Sequence, residues 1–283
     1  MDAKTAHTLA ALDRRFYERN AESFSATRRS AWPGWRCVAG QMEGRWGSGD
    51  PRLTGAAPLR VLDVACGNLR FERFLREAFS QADIRAVGID ACASLVPDDG
   101  DAAFIEADII SSLLAGEGVV DDARLAFAAA PAGCAPAAPS EARAAFDMVA
   151  CFGFFHHVPT GGLRGRLLAW LLSHTAPDGL CAVSLWRFMD DPSLAEKARA
   201  SHRRAFVELA LQGIGVDPSQ FGEGDSLLGW QGRPGAYRYA HSFSDAEVAS
   251  LAEQVEGAGR SAARFRADGR SGTLNEYLIA IPF

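Results

Sequence analysis

The sequence predicts an α/β protein built on a mostly parallel sheet covered by helices on both faces. Short apolar runs between residues 59 and 186 are strand-length, and stretches with helical spacing separate several of them. The first run ends in a glycine turn, and the next two end in acids. Strands alternating with helices need crossover connections, which give parallel sheets buried on both sides.

Residues 7–24 read as a helix, with Leu9, Leu12, Phe16 and Tyr17 on one side and Arg14, Arg15 and Arg19 around the other. Residues 25–35 read as a polar, aromatic loop, and 47–58, rich in glycine and proline, as a linker. The strands are then Leu59–Ala65, Ile84–Asp90, Ala103–Asp108, Phe146–Phe152 and Leu180–Trp186. Phe71–Phe79 and Leu163–Leu172 are helices, the second closed by Pro177-Asp178-Gly179. A helix over Asp245–Glu256 and strands over Ser261–Ala267 and Thr273–Ile281 complete a sheet of seven. Two stretches break the rhythm. Residues 115–145 hold 13 alanines and three prolines, so a flexible insertion is expected there. Residues 190–240 begin as a helix around Leu194–Leu211 and then turn glycine-rich. They are expected to lie as a lid over the carboxyl ends of the strands, where open α/β sheets bind ligands. The domain division is thus a basic N-terminal extension, 1–57, and an α/β domain, 58–283.

Composition excludes several classes. At 48% hydrophobic residues the chain can bury a sizeable core, so it is not disordered. No run approaches the ~18 apolar residues of a membrane span, and no long apolar segment near the start suggests a secretory leader. The cysteines never form a C-x-x-C pair, and no His/Cys/Asp spacing suggests a metal site. A reduced, cytoplasmic protein is expected. The net charge of −6 is no signature of a nucleic-acid binder, although residues 1–60 carry a balance of +4. Of the 29 basic side chains 27 are arginine, a rigid fork suited to carboxylate or phosphate.

The strand-to-helix turn Asp63-Val64-Ala65-Cys66-Gly67-Asn68-Leu69-Arg70 is not G-x-G-x-x-G. It resembles the first motif of class I S-adenosylmethionine (SAM) methyltransferases, D/E-x-G-x-G-x-G, with Ala65 and Leu69 standing at two of the three glycine positions. Leu69 is expected to set a side chain where backbone approaches the ligand. The resemblance implies the class I Rossmann-like fold and a SAM cofactor. It places Asp63, Ala65, Gly67, Asn68 and Cys151 around that cofactor, Asp90 on the ribose hydroxyls, and Asp108 with Ile109 at the adenine. Asp90 and Asp108 also have the bland roles of capping helices or forming turns.

The flanks narrow the resemblance. Phe24-Ser25-Ala26-Thr27-Arg28, Trp32-Pro33-x-Trp35, His156-His157-Val158, Ser184-Leu185-Trp186 and Arg238-Tyr239-Ala240-His241-Ser242-Phe243 resemble the eukaryotic tRNA methyltransferases that esterify carboxymethyluridine at the wobble position. Those relatives work with a small zinc-binding partner subunit; nothing in this chain says whether it needs one. A carboxylate is ionised at neutral pH and needs placement and cations more than a base. Arg28 and Arg238 are the candidates to clamp it, Tyr17 and Trp186 to wall the pocket, and His157, beside His156, to orient substrate or accept a proton. His241 is expected to hydrogen-bond across the lid. The acceptor is then tRNA or, since the chain is acidic, a small acid. A methyltransferase-like binding protein without activity is the third reading.

Overall fold

The structure is a computed structural model that describes residues 1–97, 102–130, 145–257 and 260–282. Seven strands form the main sheet: β1 (Pro58–Val64), β2 (Asp83–Asp90), β3 (Ala103–Glu106), β4 (Phe146–Cys151), β5 (Thr175–Trp186), β8 (Arg260–Ala267) and β9 (Asn275–Pro282), in the order β3-β2-β1-β4-β5-β9-β8. β1 to β5 pair in parallel, and β9 runs antiparallel to both β5 and β8. This is the expected Rossmann-like methyltransferase fold. The chain leaves β1 outward through β2 and β3 and returns to β4 on the other side. A crevice therefore opens between the carboxyl ends of β1 and β4.

The central strands are buried on both faces. α6 (Gly161–Ser173) and α8 (Asp245–Gly257) pack one face through residues such as Leu167, Leu171, Val248 and Val255. α2 (Pro33–Trp46) and α3 (Arg70–Ala78) cover the other through Trp35, Val38, Met42, Phe71 and Leu75. Short α4 (Ile109–Leu114) and α5 (Asp122–Ala129) follow β3.

Three expectations need correction. The loop after residue 25 gives way at Pro33 to α2, whose start is fixed by Asp268 Oδ1 accepting from the Gly34 N–H at 2.9 Å. Pro177-Asp178-Gly179 does not close α6. It bulges within β5, where the register jumps from Phe146↔Thr175 to Met148↔Leu180. The 115–145 stretch is not uniformly a loop: Val119 and Leu125 are buried, and α5 ends before the first proline. Residues 131–144 lie outside the described residues.

The outer lobe joins two distant parts of the sequence. α1 (Ala3–Ala26) packs Leu9 and Leu12 against α7 (Pro192–Leu211) and a two-stranded sheet of β6 (Asp225–Gly229) and β7 (Tyr237–His241), burying Ala205, Leu209, Leu227, Tyr237 and Tyr239. Trp230 Nε1 donates to Ser23 Oγ at 3.1 Å and Arg233 Nη1 to Asn20 Oδ1 at 3.0 Å, seating the 230–236 turn on α1. No helix among the described residues is long and apolar enough to cross a membrane.

Candidate active site

A cavity of about 620 Å³ lies at the carboxyl ends of the parallel strands, between the sheet and the outer lobe. Tyr17, Arg28, Asp63, Ala65, Gly67, Asn68, Asp90, Asp108, Ile109, His157 and Arg238 all line it, with His156 and Trp186. Two expected residues do not. Cys151 is fully buried among the apolar residues of the core. His241 is bound instead between Asp225 Oδ1 (Nδ1, 2.7 Å) and Glu247 Oε1 (Nε2, 2.8 Å). Side chains alternate along a strand, so β7 turns Arg238 and His241 to opposite faces.

The turn after β1 keeps the backbone shape that its glycine pattern implies. Ala65, Gly67 and Leu69 have φ of 61°, 54° and 54°, the left-handed region that disfavours side chains. The Leu69 side chain does not intrude on the ligand space. It is buried, and its Cδ2 lies 3.2 Å from where a Cβ on Gly88 would stand. A Cβ on Gly67 would meet nothing within 4 Å, so the turn presents bare backbone to the cavity. Asp90 Oδ2 accepts from the Gly67 N–H and Oδ1 from the Cys92 N–H, both at 2.9 Å. Burial raises its carboxyl pKa although these bonds oppose that. Behind the turn, Asp63 and Glu72 are buried together. Burial and the neighbouring charge hold Asp63 well above the usual carboxylate range, and burial lifts Glu72 to about 7. Asp108 has the capping role: it accepts from Ser111 N at 3.0 Å and pairs with Arg14 at 3.2 Å, while still facing the cavity. A nucleoside with an exposed ribose and amino group fits this edge, where acids end consecutive strands above an open glycine turn.

On the other wall, Arg28 and Arg238 form no ion pair with any described carboxylate. Arg28 lies 3.5 Å over the Phe24 ring, half-buried, and burial lowers its pKa to about 10. Arg238 is 7% exposed, with Nη1 buried and unpartnered. It is flanked by the rings of Phe16 and Trp230 at 4.9 and 5.4 Å. Beside them, His157 Nε2 meets the Tyr17 hydroxyl at 2.8 Å. His157 Nδ1 lies 2.7 Å from the Tyr239 carbonyl and 2.9 Å from Asp13 Oδ2. Burial lifts the Tyr17 phenol to about 12 and raises Asp13. The His156 ring lies 4.2 Å from that of His157, tilted by 51°, with Nδ1 unpartnered, and burial pushes its pKa well below the usual range. Asp13 joins the site in addition to the residues that the sequence predicts. The available signal is a carboxylate inside the Leu9–Leu12–Phe16 apolar stripe, four residues before Tyr17 and so on the same helix face.

A protein family described as "Methyltransferase domain" matches residues 38–254. No curated protein matches the chain significantly. Among solved structures, the Burkholderia thailandensis 1,6-didemethyltoxoflavin-N1-methyltransferase, with 1,6-didemethyltoxoflavin and S-adenosylhomocysteine bound, is similar at 14% identity and a TM-score of 0.52. It covers 97% of this chain and 88% of its own. The DhpI–SAM–HEP complex is similar at 19% identity and TM-score 0.52, covering 98% and 99%. The matching domain, the sheet order and the open glycine turn between the ends of β1 and β4 agree: the chain belongs to the class I SAM-dependent methyltransferase family, and its cofactor is S-adenosylmethionine.

Proposed function

We propose that this enzyme methylates a small anionic acceptor enclosed in the cavity, with Arg28 and Arg238 holding the anion. The observation that carries the reading is the pair of guanidinium groups that face one cavity with no ion pair to a described carboxylate, Arg238 with Nη1 buried and unpartnered. A buried unpaired charge costs several kcal/mol, and aromatic faces return only part of that. A bidentate anion in the cavity supplies the missing partner. In this reading Asp90 and Asp108, both on the cavity wall, take the ribose and adenine of the cofactor, which supplies a methyl group on a sulfonium sulfur. The acceptor's place is then the Arg28–Arg238 side, walled by Tyr17, Trp186 and Trp230.

The tRNA reading draws on the flanking motifs, and those residues here build the cavity: Phe24, Arg28, Trp32, Trp35 and Arg238 all line it. Of the arginines near the C-terminus that would meet phosphates, Arg264 and Arg266 are engaged. Arg264 pairs with Glu276 at 2.7 Å, and Arg266 with Asp190 and Asp245 at 3.0 and 3.2 Å. These facts favour the small acid.

Methyl-labelled SAM, supplied with bulk tRNA in one reaction and with the small-molecule fraction of a cell extract in another, tests the reading. Label is expected in an anionic small molecule, and Arg238→Met is expected to abolish that transfer. Label in tRNA alone would overturn the proposal.

A further inference from the structure

We infer that Asp13, His157 and Tyr17 form a proton-accepting relay that opens on the cavity, so that the atom methylated is a hydroxyl or N–H group beside the anion that Arg28 and Arg238 hold. This rests on the function proposed above and sharpens it: the anion is the handle, and its neighbour is the nucleophile.

An ionised carboxylate needs no base to accept a methyl group, and a relay would be idle beside it. A hydroxyl or N–H must lose its proton as the new bond forms. The geometry supplies a route. His157 Nδ1 has two acceptors within 2.9 Å, the Tyr239 carbonyl and Asp13 Oδ2, so Nδ1 carries the proton and Nε2 is left to accept from the Tyr17 hydroxyl. Asp13 Oδ1 is engaged by the Tyr239 N–H at 2.6 Å. Struts to β7 from α1 and from the turn after β4 account for the two bonds to Tyr239. They do not account for Asp13 Oδ2, buried without a hydrogen bond of its own and aimed at the imidazole, nor for Nε2 turned toward a phenol on the cavity wall. That spare carboxylate oxygen is where an imidazolium charge would be balanced.

In the step, a lone pair of the acceptor heteroatom forms the bond to the methyl carbon. The methyl–sulfur bond breaks, its electron pair remaining on sulfur. The heteroatom's proton passes to the Tyr17 oxygen while the phenol's own proton moves to His157 Nε2. The imidazolium then pairs with Asp13 and later releases its proton to water. The phenol, raised to about 12, stays protonated at rest and acts only as a conduit. The charged groups facing it are Asp13 on α1, Arg28, Arg238 on β7 and Asp90 on β2; His157 faces Asp13, His156 and Asp90.

Two measurements decide. The first needs no acceptor: ¹⁵N spectra of the histidine-labelled protein, with Tyr17→Phe and Asp13→Asn alongside. A neutral imidazole protonated on Nδ1, whose Nε2 resonance moves in Tyr17→Phe and which becomes a weaker proton acceptor in Asp13→Asn, supports the relay. An imidazolium that persists through pH 5–9, or a proton on Nε2, overturns it. The second takes the labelled product formed from the small-molecule fraction and treats it with mild alkali. A stable ether or N-methyl product supports the relay, with turnover falling about 10²–10³-fold in Tyr17→Phe at nearly unchanged SAM affinity by calorimetry. Label released as methanol marks an ester, which overturns the relay while leaving the small-acid function intact. Wild-type turnover in Tyr17→Phe overturns it as well.

Discussion

Arg187 and Arg238 are both buried arginines, 4% and 7% exposed, and the structure treats them in opposite ways. Arg187 follows β5 and meets Asp190, Asp245 and Glu276 at 3.0, 2.8 and 3.0 Å. Arg264 and Arg266 close the cluster from β8. Arg238, on β7, has aromatic rings and a cavity. Both guanidiniums have left bulk water, but only the first is ion-paired: Asp13 acts on Arg238 only through space and is itself held by Tyr239 and His157. A buried charge satisfied by its own chain is part of the fold, and one left open marks where a ligand completes the structure.

Substitution by methionine sharpens this contrast because it keeps volume and removes charge. Arg187→Met takes the partner from Glu276 Oε2 while Arg264 keeps Oε1 at 2.7 Å, and is expected to destabilise the protein by about 1–3 kcal/mol in denaturant unfolding. Arg238→Met removes a charge that has no ion pair but also its through-space attraction to Asp13, and is expected to change stability by about 1 kcal/mol or less, while acceptor methylation is lost. If both variants lose stability alike, Arg238 is a structural residue and the contrast collapses.

The part of the molecule that compensates its charges internally was also the more legible in sequence. Strands β1 to β5 announce themselves as short apolar runs because both faces of a parallel sheet are buried. Asp63, Gly67, Asn68, Asp90 and Asp108 could be placed because they follow those runs at the strand ends. The outer lobe was less legible. β6 and β7 pair with each other across a glycine-rich turn, and no alternation marks them in advance. Without β7 as a strand, nothing separates Arg238 from His241, and both were assigned to one site. α2 was missed because the aromatic run before it reads as loop; its start depends on Asp268, more than 200 residues away in sequence. Asp13 is not legible because its partners lie far off in sequence, His157 in the middle of the chain and Tyr239 226 residues away. Long-range contacts of this kind leave no local periodicity to read.

The lobe is itself locked to the core by a second compensated network, and pH separates it from the cavity. His241 bonds Asp225 and Glu247, Tyr239 donates to Asp225 at 2.6 Å, and Arg164 of α6 reaches Glu247 at 3.3 Å. Burial alone would lower the His241 pKa, but the bonds to Asp225 and Glu247 outweigh it and raise the value. Its contribution is therefore complete below about pH 6.5, the unfolded value, and is lost as pH climbs through the raised one. For Asp225 and Glu247 burial again opposes the bonds, and the bonds win, with Glu247 at about 2. Their contribution is complete above roughly pH 4 and is lost as acid passes through the lowered values. The network's share of stability, read as the difference between thermal melts of wild type and His241→Gln, is expected to be largest between roughly pH 4.5 and 6.5, over a background in which the raised carboxyls of Asp63 and Glu72 lose stability as pH rises. His241→Gln should flatten the alkaline limb and leave methyl transfer near neutral pH intact. An unchanged alkaline limb in that variant would remove His241 from the lock.

The smallest effect is expected at the glycine turn, where strain rather than charge is carried. Ala65 holds φ of 61° and faces the cavity, and Leu69 holds 54° with its side chain buried. A non-glycine residue in the left-handed region costs on the order of 1 kcal/mol. At Leu69 the buried side chain offsets that strain through packing, so Leu69→Gly trades one for the other and should destabilise the protein. At Ala65 only one methyl group stands against the strain. Glycine also gains freedom in the unfolded chain, which opposes the relief. The net gain in Ala65→Gly is therefore expected to be small, about 0.5 kcal/mol or less, read as a shift in the denaturation midpoint at constant slope. SAM affinity measured by calorimetry should stay within about twofold, because the backbone already has the shape that glycine would give it. A large rise in affinity for Ala65→Gly would show instead that the Ala65 methyl group obstructs the cofactor, and that this turn fits its ligand less well than its backbone angles indicate.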